Sequence, residues 1–323
     1  MERYTTPNVL IVRLEHFMIE VDNLVKRYGT QTAVNGISFR AEKGEIVGLL
    51  GPNGAGKTTT MRMLTGFMPP SAGSVKICGF DVVEDSMEVR RRVGYMPERV
   101  PIYPDMTVQG YVTFWANLRG VRQTARRVQI VLEQFQLWDR RSQLVRFLSK
   151  GLRQRLGLAQ TLVHQPEVVI LDEPTIGIDP RQVIEVRDAV QSLREHHTVL
   201  FSSHILSEIE QVCDRVIIIN KGRIVGEGTP DSLSRQMSAT QQIFIKIEGA
   251  SSEAVIGKLK RIPQVQSIRP LEDGFLVVAK TKDDIRGTLS RMIASEGLIL
   301  LEMRSLDSSL EDVFMTLTES GTP

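Results

Sequence analysis

Residues Gly51-Pro52-Asn53-Gly54-Ala55-Gly56-Lys57-Thr58-Thr59 carry the types and spacing that cradle a phosphate chain. Gly51, Gly56, Lys57 and Thr58 complete the pattern G-x-x-x-x-G-K-[ST]. Glycine at these positions lets the backbone close around an anion and aim its N–H groups at it. Lys57 would then reach the β- and γ-phosphates, and the Thr58 hydroxyl would hold Mg²⁺. A chain of this length and average composition meets the pattern by chance on the order of once in a hundred. The surroundings lower that further. The apolar run Ile46–Leu50 enters the loop like a buried strand, and Thr58–Leu64 leaves it like a helix. The segment implies a nucleoside triphosphate ligand.

A second chemical element is Val168-Val169-Ile170-Leu171-Asp172-Glu173-Pro174. An apolar strand delivers two carboxylates to its polar C-terminal end, where α/β folds place ligands. Asp172 would help hold Mg²⁺ through its water shell, and Glu173 would orient or deprotonate an attacking water. Strands ending in acidic residues are common; one that follows a phosphate loop is far more telling.

These loops need a scaffold, and the pattern of apolar residues supplies it. Ile19–Leu24 and Ile37–Ala41 alternate like strands, and buried strands return at Val168–Leu171, Thr198–Ser202 and Val216–Ile219. Between them, Val108, Tyr111, Val112 and Trp115 recur at helical spacing, as do Val128, Val131, Leu132 and Phe135. An α/β core with a helical insertion is expected. From Ala239 onward the rhythm changes: Gln242–Ile247, Val265–Arg269, Gly274–Ala279 and Leu298–Glu302 read as strands. Glu253–Ile262 and Asp284–Ile293 read as helices. The order β-α-β-β-α-β fits a small α+β domain of split βαβ, ferredoxin-like type.

Composition bounds the rest. With 323 residues, 41% hydrophobic and 24% charged, the chain reads as one large or two ordinary globular domains. A net charge of +2 gives no argument for a nucleic-acid partner, and none is expected. Cys78 and Cys213 form no motif and fit a reducing compartment. No apolar stretch is long enough to cross a bilayer. Charge is nevertheless uneven: from Arg90 to Arg155 there are 14 Lys/Arg against 4 Asp/Glu. Such an excess suits either solvated helix faces or a surface near anionic headgroups.

Leu148-Ser149-Lys150-Gly151-Leu152 lies one helix-length upstream of Asp172, and here the chain resembles the nucleotide-binding subunit of an ATP-binding cassette (ABC) transporter. The family's signature runs Leu-Ser-Gly-Gly-Gln; Leu148, Ser149 and Gly151 keep it, while Lys150 and Leu152 depart from it. The resemblance implies ATP as the nucleotide and a head-to-tail dimer in which Ser149 and Gly151 contact the γ-phosphate held by the other subunit. Ser149 could equally be an ordinary N-cap. The resemblance further assigns Asp179 to the loop joining the two active sites and His204 to the switch that contacts the γ-phosphate. Tyr28 matches the aromatic residue that stacks on adenine.

One departure separates branches of the family. Where Gln is usual before the helical insertion, Tyr95-Met96-Pro97 leads to Glu98. A glutamate can still accept from water or ligate Mg²⁺, but it adds negative charge beside the γ-phosphate. Glu98 resembles the branch that serves separately encoded export (ABC-2-like) permeases, and Leu310–Thr318 resembles that branch's closing helix. The expected organisation is an extension at 1–17, an ABC ATPase domain at 18–236 with its helical insertion at about 99–160, and an accessory domain at 240–320. The function implied is ATP-driven export at the cytoplasmic face of the membrane, through a partner permease and a second cassette. Ile102, Tyr103, Phe114 and Trp115 are candidates for the surface that receives the permease. The alternative is a soluble cassette ATPase acting on nucleic acid or ribosomes. Such proteins commonly carry two cassettes, long coiled coils or zinc-binding cysteine sets, and this chain shows none of them.

Overall fold

The computed structural model describes residues 17–237, 242–249, 252–271, 273–280 and 284–306. The extension before Phe17 and the helix expected at Leu310–Thr318 lie outside the described residues. Alternation buries Ile19, Val21 and Leu24 on one face of β1 (Ile19–Tyr28), and β2 (Gln31–Ala41) returns antiparallel to it. β3 (Ile46–Leu50) is buried at every position and feeds the phosphate loop and α1 (Lys57–Leu64). Next come β4 (Ala72–Ile77), β5 (Phe80–Asp81), α2 (Ser86–Arg92) and β6 (Val93–Met96). β4 starts inside a Pro/Gly-rich stretch that reads as loop. Its ladder partner is β1, some fifty residues away, and that long-range pairing overrides local turn chemistry.

The insertion consists of α3 (Val108–Leu118), α4 (Thr124–Gln134) and α5 (Lys150–Leu162). Thr107 starts α3 by accepting from the Gly110 N–H at 3.0 Å. Then follow β7 (Val168–Asp172), α6 (Pro180–Gln191), β8 (Thr198–Ser203), α7 (Leu206–Val212), β9 (Arg215–Asn220), β10 (Arg223–Gly228) and α8 (Pro230–Met237). The last segment has β11 (Gln242–Glu248), α9 (Ser252–Leu259), β12 (Val265–Leu271), β13 (Gly274–Ala279), α10 (Arg286–Ser295) and β14 (Ile299–Leu306).

The central sheet has the order β10-β9-β3-β8-β7-β6. Its strands from β9 to β6 pair in parallel and β10 is an antiparallel edge, so the sheet is mixed. Both of its faces are covered, which is why its strands read as continuous apolar runs. Val47, Leu49, Val168, Ile170 and Leu200 face the core shared with β1, β2 and β4. Their neighbours Ile46, Leu50, Val169, Leu171 and Phe201 face the other core, which Tyr111, Val112, Val128 and Leu132 of the insertion complete. The C-terminal segment forms a separate four-stranded sheet of order β12-β13-β11-β14, antiparallel throughout, with its own core around Ile243, Ile245 and Val277.

The four candidates for the permease surface differ in burial, and the Phe114 and Trp115 rings meet edge to face at 5.7 Å. Ile102 packs against the insertion's core, while Tyr103 and Phe114 stay exposed and stack edge to face at 5.5 Å. Trp115 lines a surface groove of about 1070 Å³ that it shares with Phe67, Met87 and Leu118. Helical periodicity places a residue on a face; it does not say which face another element already covers. Among the described residues, no helix is long and apolar enough to cross a membrane.

Candidate active site

The parallel order brings the C-terminal ends of β3, β8 and β7 side by side, so loops distant in sequence share one edge. From β3 the chain wraps into the phosphate loop. Two glycines make the wrap possible. A Cβ on Gly51 would lie 2.3 Å from the Ile219 carbonyl, and Gly56 combines φ +108° with 2.7 Å to the Ala33 carbonyl. Gly56 is also the left-handed N-cap of α1 and supplies no side-chain cap, so the positive end of α1 faces the loop's interior. Pro52 through Thr59, Glu98 and Glu173 line the resulting cleft of about 400 Å³. Gly56→Ala should cost roughly 1–3 kcal/mol of stability through strain and close contact. Thermal unfolding checks this; an unchanged melting temperature would contradict the loop geometry.

Within the cleft, Lys57 and Glu173 meet. The Lys57 Nζ donates to the Gly51 carbonyl at 2.6 Å and lies 3.3 Å from Glu173 Oε1, with both side chains buried. The other Glu173 oxygen, Oε2, accepts from His204 Nδ1 at 2.7 Å. Glu173 itself has φ +49°, a left-handed conformation uncommon outside glycine. Its backbone N–H donates to Ser202 Oγ at 2.9 Å, and that hydroxyl donates to Asp172 Oδ1 at 2.8 Å. Ser202 can do both because the parallel register sets it opposite Asp172. Nothing in the residues around Ser202 marks it out; its signal is the matching position at the end of a neighbouring strand.

The Asp172 carboxyl is fully buried, and its Oδ2 has no hydrogen-bond partner. Burial pushes its pKa up, the hydroxyls of Ser202 and Thr58 pull it down, and the charges of Glu173 and Glu98 push it up again. An orphaned carboxylate oxygen beside a threonine hydroxyl and near two more carboxylates suits a hard divalent cation. Among the described residues, no three His, Cys, Asp or Glu side chains form a metal cage. The donor set therefore fits an ion held by few protein ligands plus water and phosphate oxygens, as Mg²⁺ is.

The remaining expected residues lie outside this cleft. Ser149 caps α5, accepting from the Leu152 N–H at 3.3 Å, and Asp179 caps α6, accepting from the Gln182 N–H at 3.1 Å. Gly151 is pressed against Gln182, where an added Cβ would meet Oε1 at 1.9 Å, and Lys150 Nζ sits over Gly177 in the same way. The signature segment and the loop after Glu173 thus pack against each other. Tyr28, at the end of β1, is 47% exposed and donates to the Met68 Sδ at 3.1 Å.

Comparison with known proteins agrees with this arrangement. A family model described as ABC transporter matches residues 34–176. The linearmycin resistance ATP-binding protein LnrL of Bacillus subtilis (strain 168) is 31% identical over 93% of this chain and 98% of its own length. The bacitracin transport ATP-binding protein BcrA of Bacillus licheniformis is 33% identical over 94% of this chain and 98% of its own. A solved ATP-binding subunit of an ABC transporter superposes with a TM-score of 0.63 at 30% identity, covering 73% of this chain and 97% of that one. The phosphate loop, Asp172, Glu173 and His204 thus stand on one sheet edge, in a chain similar to these relatives along nearly its whole length. The chain belongs to the ATP-binding cassette family and is the ATP-binding, ATP-hydrolysing subunit of an ABC transporter.

Proposed function

We propose that this subunit drives export through a separately encoded permease, and that it works as a pair of cassettes closing on two ATP molecules. The convergence of Lys57 and His204 on the two carboxylate oxygens of Glu173 carries the reading. Glu173 orients and deprotonates the attacking water, His204 holds that carboxylate and meets the γ-phosphate, and Lys57 draws the β- and γ-phosphates. Thr58, Asp172 and Glu98 are the residues that would hold Mg²⁺, whose charge neutralises the phosphate oxygens. The backbone from Gly51 to Thr59 surrounds the phosphates, and Tyr28, an exposed ring with the Lys26 ammonium 5.6 Å from its centroid, stacks on adenine. Ser149, Gly151 and Asp179 serve the ATP of the opposite subunit, a role supported by their position outside their own chain's cleft.

The antiparallel order β12-β13-β11-β14, with a helix after β11 and another after β13, supports a ferredoxin-like accessory domain at about 240–320 behind a cassette at 18–236. The names of LnrL and BcrA, one a resistance protein and one a transport protein, support export of a small toxic compound. The groove beside Trp115, with Arg91, Arg119 and Arg122 on its rim, suits the permease socket and would hold the subunit at the cytoplasmic face of the membrane. Co-expression with a candidate multi-span permease, sought first among the neighbouring genes, is the test. The two should co-purify, and the permease should change the ATPase rate. Salt alone should release little of the subunit from membranes, because exposed charges more than about 8 Å apart are screened at physiological salt while a packed socket is not. A subunit that stays soluble beside its permease would overturn the reading.

A further inference from the structure

Glu208 lies in the first turn of α7, 5% exposed, and makes no ion pair among the described residues. A buried carboxylate without a cation is retained only where hydrogen bonds compensate it. Here both compensating donors come from segments that matter to the cleft. Oε2 accepts from the Thr175 hydroxyl at 2.7 Å and from the Ser203 hydroxyl at 2.8 Å. Thr175 sits in the turn just after Glu173, and Ser203 immediately precedes His204. Both hydroxyl residues are buried, and Ser203 Oγ also accepts from the Ile205 N–H at 2.9 Å. The positive end of α7 favours an acidic side chain in its first turn. That preference explains the charge but not a bond to a residue 33 positions earlier.

The geometry points to Glu208 as a positioning residue for ATP hydrolysis. One carboxylate oxygen fastens the turn that carries Glu173 to the strand end that carries His204. The contact between those two side chains is then set by a buried clamp behind them rather than by their own rotamers. Ser202 fixes the backbone of Glu173 on one side, and Glu208 fixes the chain beyond it on the other. Misplacement of a reacting group by about 1 Å can cost 10²-fold in rate, so a clamp of this kind acts on turnover more than on binding. The inference rests on the roles proposed above for Glu173 and His204.

The test is steady-state ATPase kinetics of the full chain, with circular dichroism to confirm folding. Glu208→Ala should lower kcat by about tenfold or more while KM for ATP moves by less than about threefold. Glu208→Gln keeps an oxygen that accepts from both hydroxyls and should restore most of the rate. If Glu208→Ala fails to fold, Thr175→Val and Ser203→Ala each remove one arm and should each slow kcat without raising KM. A double substitution should lose no more than the worse single one, because both break the same clamp. Wild-type kcat in Glu208→Ala or in both hydroxyl variants would overturn the clamp, as would a Gln variant no better than Ala. Glu173→Gln, assayed alongside, separates the failures: full activity there sinks the site reading and the clamp with it. An inactive Glu173→Gln beside a fully active Glu208→Ala sinks the clamp alone.

Discussion

Replacing Glu173 by Gln is expected to leave ATP bound and remove nearly all of its hydrolysis. The substitution keeps the side chain's shape and its backbone can keep φ +49°, since the Ser202 hydroxyl that holds the Glu173 N–H is untouched. What disappears is the carboxylate that takes a proton from water, a loss worth roughly 10²- to 10⁴-fold in rate. ATP affinity should stay within a few-fold, because the phosphate contacts come from the loop and Lys57. With ATP bound and uncleaved, the closed pair should persist and sediment as a dimer. Turnover at the wild-type rate would falsify the role given to Glu173.

The second large effect is that of Lys57→Ala, and it should appear in two independent measurements. Two charge-assisted hydrogen bonds to phosphate, at about 1.5 kcal/mol each, amount to about two orders of magnitude in ATP affinity. The second effect follows from the ion pair to Glu173, in which both partners are buried. Removing the ammonium leaves a buried carboxylate that, among the described residues, His204 alone partners, and breaking such a pair costs about 3–5 kcal/mol. The melting temperature measured without nucleotide should therefore fall as well. Adding Glu173→Gln should recover part of that stability and none of the affinity. Unchanged ATP affinity in Lys57→Ala would remove the phosphate-loop assignment.

The parts of this site legible in the sequence are those written in contiguous residues. Gly51–Thr59 and Val168–Glu173 each carry strand, turn and chemistry within one short run, and each folds as its pattern implies. The β-α-β-β-α-β rhythm after residue 240 is legible for the same reason: alternation and helical spacing are local. Adjacency is not local. That β8 lies between β3 and β7 brings His204 to Glu173 and Ser202 to Asp172, and nothing within Thr198–His204 states it. Glu208 is the extreme case, a single acidic residue whose meaning lies in two hydroxyls that only the fold delivers. Trp115 and Phe114 show the same limit: the two rings meet edge to face at 5.7 Å, yet Trp115 lines the groove and Phe114 is not in its lining.

Lys57 has one ammonium and two anions that can claim it. In the structure the Glu173 carboxylate lies 3.3 Å from it, so the protein supplies an internal rival for the terminal phosphate. An arriving γ-phosphate must outcompete that rival, and the apparent affinity is reduced by whatever fraction of the time the rival holds on. The same exchange would leave the Glu173 carboxylate without the ammonium that lies 3.3 Å from it in the structure. ADP, which lacks the γ-phosphate and keeps only the β-phosphate within reach, offers the ammonium less and returns it more readily. On the role proposed for Glu173, loading and arming would be one event, with the base released only when the group to be cleaved is in place.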